Sequence, residues 1–493
     1  MSRRKRSRRL TRKYKRHVEA TRLKNKSLFL ELHKWFVPEG ELFSEKELHG
    51  NTKWNPDQLV LQALVWSWQE TKYVTNAFGH AQEVCDQLGM KDTARSYTSM
   101  LNALVRYRNV FAACLREQLQ ALAEEIGGRH FEMDGWVPIG FDGSRATAPR
   151  SVSNEKAFCA PNYGQGKRAK YGKKKSKGLR RKRNQQNPPQ PQAPQAWVTM
   201  LWHMGVRLPW TWRLGPSHSS ERDHVKEILS EEVFPENTLF CGDAGFTCYP
   251  LWSLILAKGS NFLVRVGANV RLLSEKADVK RLGGGLVLCW PKGQMHSGQP
   301  PLRLRLVRVK IGKIKMWILT SVLDRKQLSH KQIVRFYEMR WGIEVEFRGL
   351  KQTLDKHTLR CRNADRLLVE LDWSLRAMGV AELLALREQI AAAEARAGQD
   401  DQTAYDPQDR SLANTMRALR KCMRNLDQHS TSANDIMKQL SQALVQRYHS
   451  RTVKRARYRP PNPDKKPLGE PTVRKINPLE RKALIHHGET TAA

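Results

Sequence analysis

Four polar side chains share one stripe of the segment Phe336–Lys351. Tyr337, Arg340, Glu344 and Lys351 stand at relative positions 0, 3, 7 and 14. At about 3.6 residues per turn, they stay within roughly 60° of one another along a helix stripe about 20 Å long. A core-facing stripe is apolar. A phenol, a guanidinium, a carboxylate and an ammonium in that place point instead to a surface that handles a phosphate backbone and a metal ion. A solvated face with ordinary i,i+4 charge pairs would show the same spacing.

Two further carboxylates follow apolar runs. Asp142 closes Ile139-Gly140-Phe141 and precedes Gly143-Ser144; Asp243 closes Leu239-Phe240-Cys241-Gly242 and precedes Ala244-Gly245-Phe246. Each is expected to end a strand. Taken singly, Asp-Gly and Asp-x-Gly are also common turn chemistry. Together with Glu344 they form a set that phosphodiester transfer could use. That reaction needs charge neutralised on the attacked phosphate, an activated nucleophile and a stabilised leaving oxygen, which two Mg²⁺ about 3.5–4 Å apart supply. Mg²⁺ takes hard oxygen ligands, and those ligands must sit on rigid elements. Glu346 is the competing acid, but it lies about 200° around the helix from Glu344 and is expected to point elsewhere.

The elements that must carry these groups can be read along the chain. Residues 1–25 are a basic arm with Glu19 as its only acid, expected to be disordered. Residues 26–130 read as helical, with Asn55-Pro56 a good helix start. A second long helical pattern runs from about Asp92 to Ile126, and Gly127-Gly128 stops it. This helical region is expected either to bind DNA or to cap the next domain. Strands alternating with helices over 131–266 indicate an α/β core. That core is interrupted at 161–195 by a basic, then Gln/Pro-rich insertion that cannot bury a core. Residues 267–322 read as a β-rich insertion. Residues 323–395 hold the signature helix, expected from about Arg325 to Leu354, and a mostly apolar helix from Ala364. Residues 396–493 read as helical, then as a basic tail expected to be disordered.

Formal net charge is +38, with 86 Lys+Arg against 48 Asp+Glu among 493 residues. Such an excess is costly by self-repulsion and implies a polyanionic partner, nucleic acid above a membrane surface or the ribosome. The eight cysteines are dispersed without a CxxC, so a zinc ribbon is not supported. Dispersed cysteines suit a reducing cytosol. No apolar run approaches a membrane span of about 18 residues, and the charged N-terminus lacks the apolar stretch of a secretory signal.

The spacing Tyr337-x2-Arg340-x3-Glu344-x6-Lys351 is similar to the Y-x2-R-x3-E-x6-K signature of DDE transposases of bacterial insertion sequences. Arg340-Trp341-Gly342-Ile343-Glu344 and Phe347-Arg348-Gly349-Leu350-Lys351 share that family's wording. The surroundings of Asp142 and Asp243 resemble its first and second acidic motifs, and the order Asp, Asp, β insertion, Glu fits as well. The resemblance covers about residues 130–390.

It implies a ribonuclease-H-like core that binds two Mg²⁺, with Mn²⁺ as a substitute, through Asp142, Asp243 and Glu344. The implied activity is cleavage at the element's ends and strand transfer into target DNA. Tyr337, Arg340, Lys351 and Arg348 would hold the phosphate backbone. The implied partners are double-stranded DNA, as terminal inverted repeats and target, and a second copy of the chain in a synaptic complex. The implied location is the bacterial cytoplasm, at the nucleoid. Trp317 lies where hairpin-forming members carry a base-stacking Trp, offset by one, and a strand Trp of the β core would read the same. Trp290 is a weaker candidate for that role. Glu221-Arg222 sits where the family often has a similar pair. His203 and His218 read as structural. A metal-dependent nuclease or resolvase on the same fold, and a DNA-binding derivative without activity, are the alternatives.

Overall fold

The computed structural model describes residues 24–43, 52–160, 193–276, 278–290, 300–312, 314–397, 405–426, 435–445 and 468–486. The basic arm and the basic insertion fall outside these residues except at 24–25 and 193–195, and so does the tail from 446 to 467.

Five helices lead into the core: α1 (24–36), α2 (Pro56–Trp68), α3 (Val74–Leu88), α4 (Tyr97–Arg106) and α5 (Arg108–Gly127). The Asn55 side chain accepts from the Gln58 amide and Pro56 opens α2, as the sequence predicts. The helix expected over 92–126 is broken at Tyr107, whose backbone ends α4 and begins α5. These helices share one hydrophobic core with the rest of the molecule. Phe111 packs edge-on to Trp373 at 5.9 Å, and the Trp68 indole donates to the Ala377 carbonyl at 2.8 Å.

One sheet runs through the protein. Its strands are β1 (Val137–Thr147), β2 (Gln195–His203), β3 (Leu208–Gly215), β4 (Thr238–Gly242), β5 (Asn261–Val266), β6 (Arg271–Ser274), β7 (Gly284–Cys289), β8 (Leu302–Ile311), β9 (Ile314–Thr320) and β10 (Thr472–Lys475). They are ordered β10-β6-β7-β8-β9-β5-β4-β1-β2-β3. β1, β2 and β3 pair antiparallel, whereas β1, β4 and β5 pair parallel. The β-rich stretch 267–322 adds its strands to β5 through β9 and so extends the same sheet.

The other helices are α6 (Val152–Phe158), α7 (Glu221–Glu231), α8 (Tyr249–Ala257), α9 (His330–Met339), α10 (Gly342–Gln352), α11 (Ala364–Ala397), α12 (Leu412–Asn425), α13 (Ile436–Ser441) and α14 (Pro478–His486). No helix among the described residues is long and apolar enough to cross a membrane. Successive strand residues face opposite sides, and two contacts fix which side each helix covers. Thr199 on β2 hydrogen-bonds His224 of α7 at 2.9 Å. Trp212, the cross-strand partner of Met200, donates to Asp372 of α11 at 2.8 Å. So α7 covers the Thr199 face and α11 the Met200 face.

Three expectations are corrected. Asp142 does not end its strand: β1 continues to Thr147 with Asp142 opposite Met200, and residues 143–147 stay paired to β2. Pairing satisfies their backbone groups and overrides the local turn preference of Asp-Gly.

The signature segment is two helices, not one. The amides of Trp341, Ile343 and Glu344 each bond three residues back, to Glu338, Arg340 and Trp341, so the chain tightens between α9 and α10. Gly342 allows this, because the Trp202 indole lies where its Cβ would be.

The tail is ordered in part. β10 lies parallel to β6, and Ile476 and Leu484 bury with Leu273 and Trp290. A few apolar residues suffice there because an open strand edge supplies the backbone partners.

Gly342→Ala is expected to lower the unfolding free energy by about 1–3 kcal/mol through overpacking against Trp202. Urea unfolding of the full chain checks this, and an unchanged midpoint would contradict the close approach.

Candidate active site

β1 sets the floor of the site. By strand alternation, Gly140, Asp142 and Ser144 share one face, and α10 lies along it. A Cβ on Gly140 would sit 3.7 Å from the Arg340 side chain, in ordinary contact with it, so Arg340 lies directly over this face of β1. Lys351, two turns beyond Glu344, donates to the Ser144 hydroxyl at 2.6 Å. Arg340 and Lys351 thus bracket Asp142 along the strand.

Arg340 is 4% exposed. Its guanidinium stands 4.0 Å from Asp142 and 3.7 Å from Glu344, and 5.4 Å from the ring centre of buried Tyr337. Glu344 itself reaches solvent. Asp243 follows β4, the parallel neighbour of β1. Gly140 pairs with Cys241, and Asp142 and Asp243 each lie two residues further on. The two carboxylates therefore leave adjacent strands at one level. Each accepts a nearby backbone amide: Asp142 from Gly143 at 2.8 Å, Asp243 from Gly245 at 2.7 Å.

A fourth carboxylate joins them. Glu221 opens α7, where Ser220 caps the helix by accepting from the Asp223 amide. It packs on the backbone of Gly143, which has no Cβ to exclude it. Burial, then the charges of Asp142 and Asp243, push its carboxyl up to about 7. The Asp142 carboxyl is also raised, chiefly by burial and further by Asp243 and Glu344, against the opposing Gly143 amide and Arg340. The sequence signal for Glu221 is weak. An acid at the first position of a helix is ordinary capping chemistry, and only the fold brings it to Asp142.

The remaining predicted residues are distributed as follows. Arg348 is exposed and lines a groove of about 430 Å³ with Asp142, Ser144, Glu344, Lys351 and His357. Tyr337 is 2% exposed, and burial raises its phenol above the ordinary value. Trp317 is buried in β9, opposite Val266 and Arg308, and Trp290 is buried under the C-terminal segment. His203 is fully buried against Phe131 with ring centres 4.6 Å apart, and burial lowers its pKa to about 3. Glu346 points into the core toward Glu382; burial, then Glu382, raises its carboxyl well above the usual range.

Among the described residues, no three His, Cys, Asp or Glu side chains are drawn together closely enough to hold a metal ion as they stand. The donor set is nevertheless all oxygen, which suits Mg²⁺. Neighbouring carboxylates add to the burial that raises Asp142 and Glu221, and Arg340 is the cation beside Asp142 and Glu344. A divalent cation would relieve that repulsion, so the residues fit such a group.

Residues 198–378 match the family described as "Transposase DDE domain". The match takes in Asp243, Tyr337, Arg340, Glu344 and Lys351 and leaves Asp142 outside. No curated protein matches the chain. Among solved structures, the chain is similar to one titled "Cryo-EM structure of piggyBac transposase synaptic complex with hairpin DNA", at 12% identity over 86% of this chain and 83% of that chain, with a TM-score of 0.36.

The raised carboxyl of Glu221 has a stability consequence in metal-free buffer. A carboxyl that holds its proton more tightly when folded stabilises the fold at low pH and loses that benefit as pH rises. The loss spans the interval from the ordinary glutamate value of 4.5 to about 7. Glu221→Gln is therefore expected to melt near the unsubstituted protein at pH 4.5 and above it at pH 8. Equal melting temperatures at both pH values would contradict a Glu221 carboxyl raised by burial and by its neighbours.

Proposed function

We propose that this chain is a DNA transposase that cuts at the ends of a mobile element and joins them to target DNA. One observation carries the reading. Carboxylates from β1 and α10 flank the buried guanidinium of Arg340, and Asp243 follows β4 at the level of Asp142, in a chain whose residues 198–378 match a transposase DDE domain. The strand order β3-β2-β1-β4-β5, antiparallel and then parallel, supports a ribonuclease-H-like core around that centre.

In this reading Asp142, Asp243 and Glu344 hold two Mg²⁺, or Mn²⁺, with Glu221 beside them. Such ions, when bound, stabilise the attacking and leaving oxygens of an in-line displacement. The side chains contribute positioning. Lys351, oriented by Ser144, offers a point charge to a phosphate in the groove, and Arg348 extends that positive wall. Arg340 has a planar fork suited to two oxygens at once. Its carboxylate partners stand 3.7–4.0 Å away, so it has donor capacity left for a phosphate. Tyr337 backs Arg340 and keeps water from its rear face.

A water first attacks the phosphorus at the element's end, and the P–O bond to the 3′ oxygen breaks, leaving a 3′-OH. That hydroxyl then attacks a target phosphate, forming a new ester as the target's own 3′ oxygen leaves. Two copies of the chain would hold the two ends.

The test uses purified full-length protein, Mg²⁺ and labelled DNA carrying the inverted repeats that flank the gene. Cut and joined 3′ ends are expected, and Glu344→Gln is expected to bind the same DNA yet give neither product. Cutting without joining would point to a nuclease. Binding without any product, in Mg²⁺ and in Mn²⁺, would overturn the catalytic reading.

A further inference from the structure

A second basic surface lies on β8 and β9. Lys310 stands directly opposite Lys315, and Arg308 opposite Trp317. By strand alternation, these four share one face. Arg308, Lys310 and Lys315 are all exposed. Like charges directly opposite across an antiparallel pair destabilise the sheet, so folding alone does not favour this arrangement. The Arg308 guanidinium lies 5.7 Å from the Trp317 ring centre, and Arg265, Arg308, Lys315 and Trp317 line a hollow of about 250 Å³.

Among the residues lining that hollow there is a single acid, and it comes from elsewhere in the chain. Glu470 precedes β10 and pairs with Lys280 at 2.8 Å. Lys280, and then the Trp317 indole, hold its carboxyl below the ordinary range, with Arg308 adding to the effect. The segment is tied down on both sides of Glu470. The Ala268 amide donates to the Leu468 carbonyl at 3.0 Å, and the Thr472 amide donates to the Val270 carbonyl at 3.0 Å. Leu468 presses on Gly267, where no side chain would fit. Gly469, with φ +70°, makes the turn that delivers Glu470. A carboxylate accepting from an ammonium and an indole over a basic hollow occupies the place a phosphate would take.

We propose that the β8–β9 stripe of Arg308, Lys310 and Lys315 is a second docking surface for the DNA backbone, and that Glu470 is a tethered competitor seated on it. Phosphate must displace the carboxylate, so the C-terminal segment lowers the affinity of this surface for DNA. The proposal rests on the DNA reading above, but not on any catalytic step.

The test is fluorescence anisotropy of the full chain with a labelled random-sequence duplex over a salt series, without divalent metal. An exposed ion pair is a weak interaction, so Glu470→Gln is expected to tighten binding only about three- to fivefold. Lys310→Gln with Lys315→Gln is expected to weaken binding and to reduce the slope of log K against log salt by about 1.8, near 0.9 for each phosphate that is no longer neutralised. Adding Glu470→Gln to that pair is expected to gain less than it does alone. Thermal melts confirm that each variant folds. Unchanged affinity in Glu470→Gln, or an unchanged salt slope in the double lysine variant, would overturn the proposal while duplex binding by the unsubstituted chain keeps the DNA reading. A chain that binds no duplex would overturn both.

Discussion

A guanidinium that is 4% exposed is the constraint around which this molecule is arranged. An uncompensated buried charge costs several kcal/mol, so Arg340 must meet negative charge, and the fold brings Asp142 and Glu344 to it. The requirement runs both ways. Asp142 feels the charges of Asp243 and Glu344, and Glu221 those of Asp142 and Asp243; Arg340 is the cation that offsets this beside Asp142 and Glu344. Removing Arg340 would leave the acids opposed by one another; removing the acids would leave a buried cation.

The architecture serves that arrangement. Parallel pairing of β1 with β4 puts Asp142 and Asp243 at one level. The tight turn at Arg340–Trp341, with Gly342 pressed on Trp202, sets the angle at which α10 leaves α9. The far side of α10 is fixed as well. Glu346 reaches the core next to Glu382, and Arg410, from the segment before α12, lies 4.0 Å from Glu382 and bonds the Val206 carbonyl at 2.8 Å. α10, α11, the β2–β3 turn and the segment before α12 therefore meet at one buried polar cluster, opposite the face that carries Glu344.

Much of this is legible in the sequence. The polar stripe from Tyr337 to Lys351 stands out because it breaks the apolar rule for a helix that packs on a core. The runs before Asp142 and Asp243 read as strands because they are short and continuously apolar. Three features of the site are not legible. The kink at Arg340–Trp341 depends on Trp202, far away in sequence. The continuation of β1 past Asp142 depends on β2 as a partner, which local Asp-Gly turn chemistry cannot register. Glu221, which the resemblance marks only as half of a Glu-Arg pair, otherwise looks like a routine helix start until α7 is set against β1. The C-terminal strand is hidden for a similar reason: a basic, proline-bearing tail has no periodic pattern, and only the free edge of β6 gives it a place.

Whether these carboxylates work as one centre is tested most directly by titrating Mn²⁺ into the full-length protein and following binding by electron paramagnetic resonance. Saturable binding is expected in the unsubstituted chain. Asp142→Asn and Glu344→Gln, drawn from different elements, should each abolish or sharply weaken it while leaving the fold intact. Binding of equal strength in all three proteins would mean that the acids of β1 and α10 do not share a cation, and would contradict a common centre.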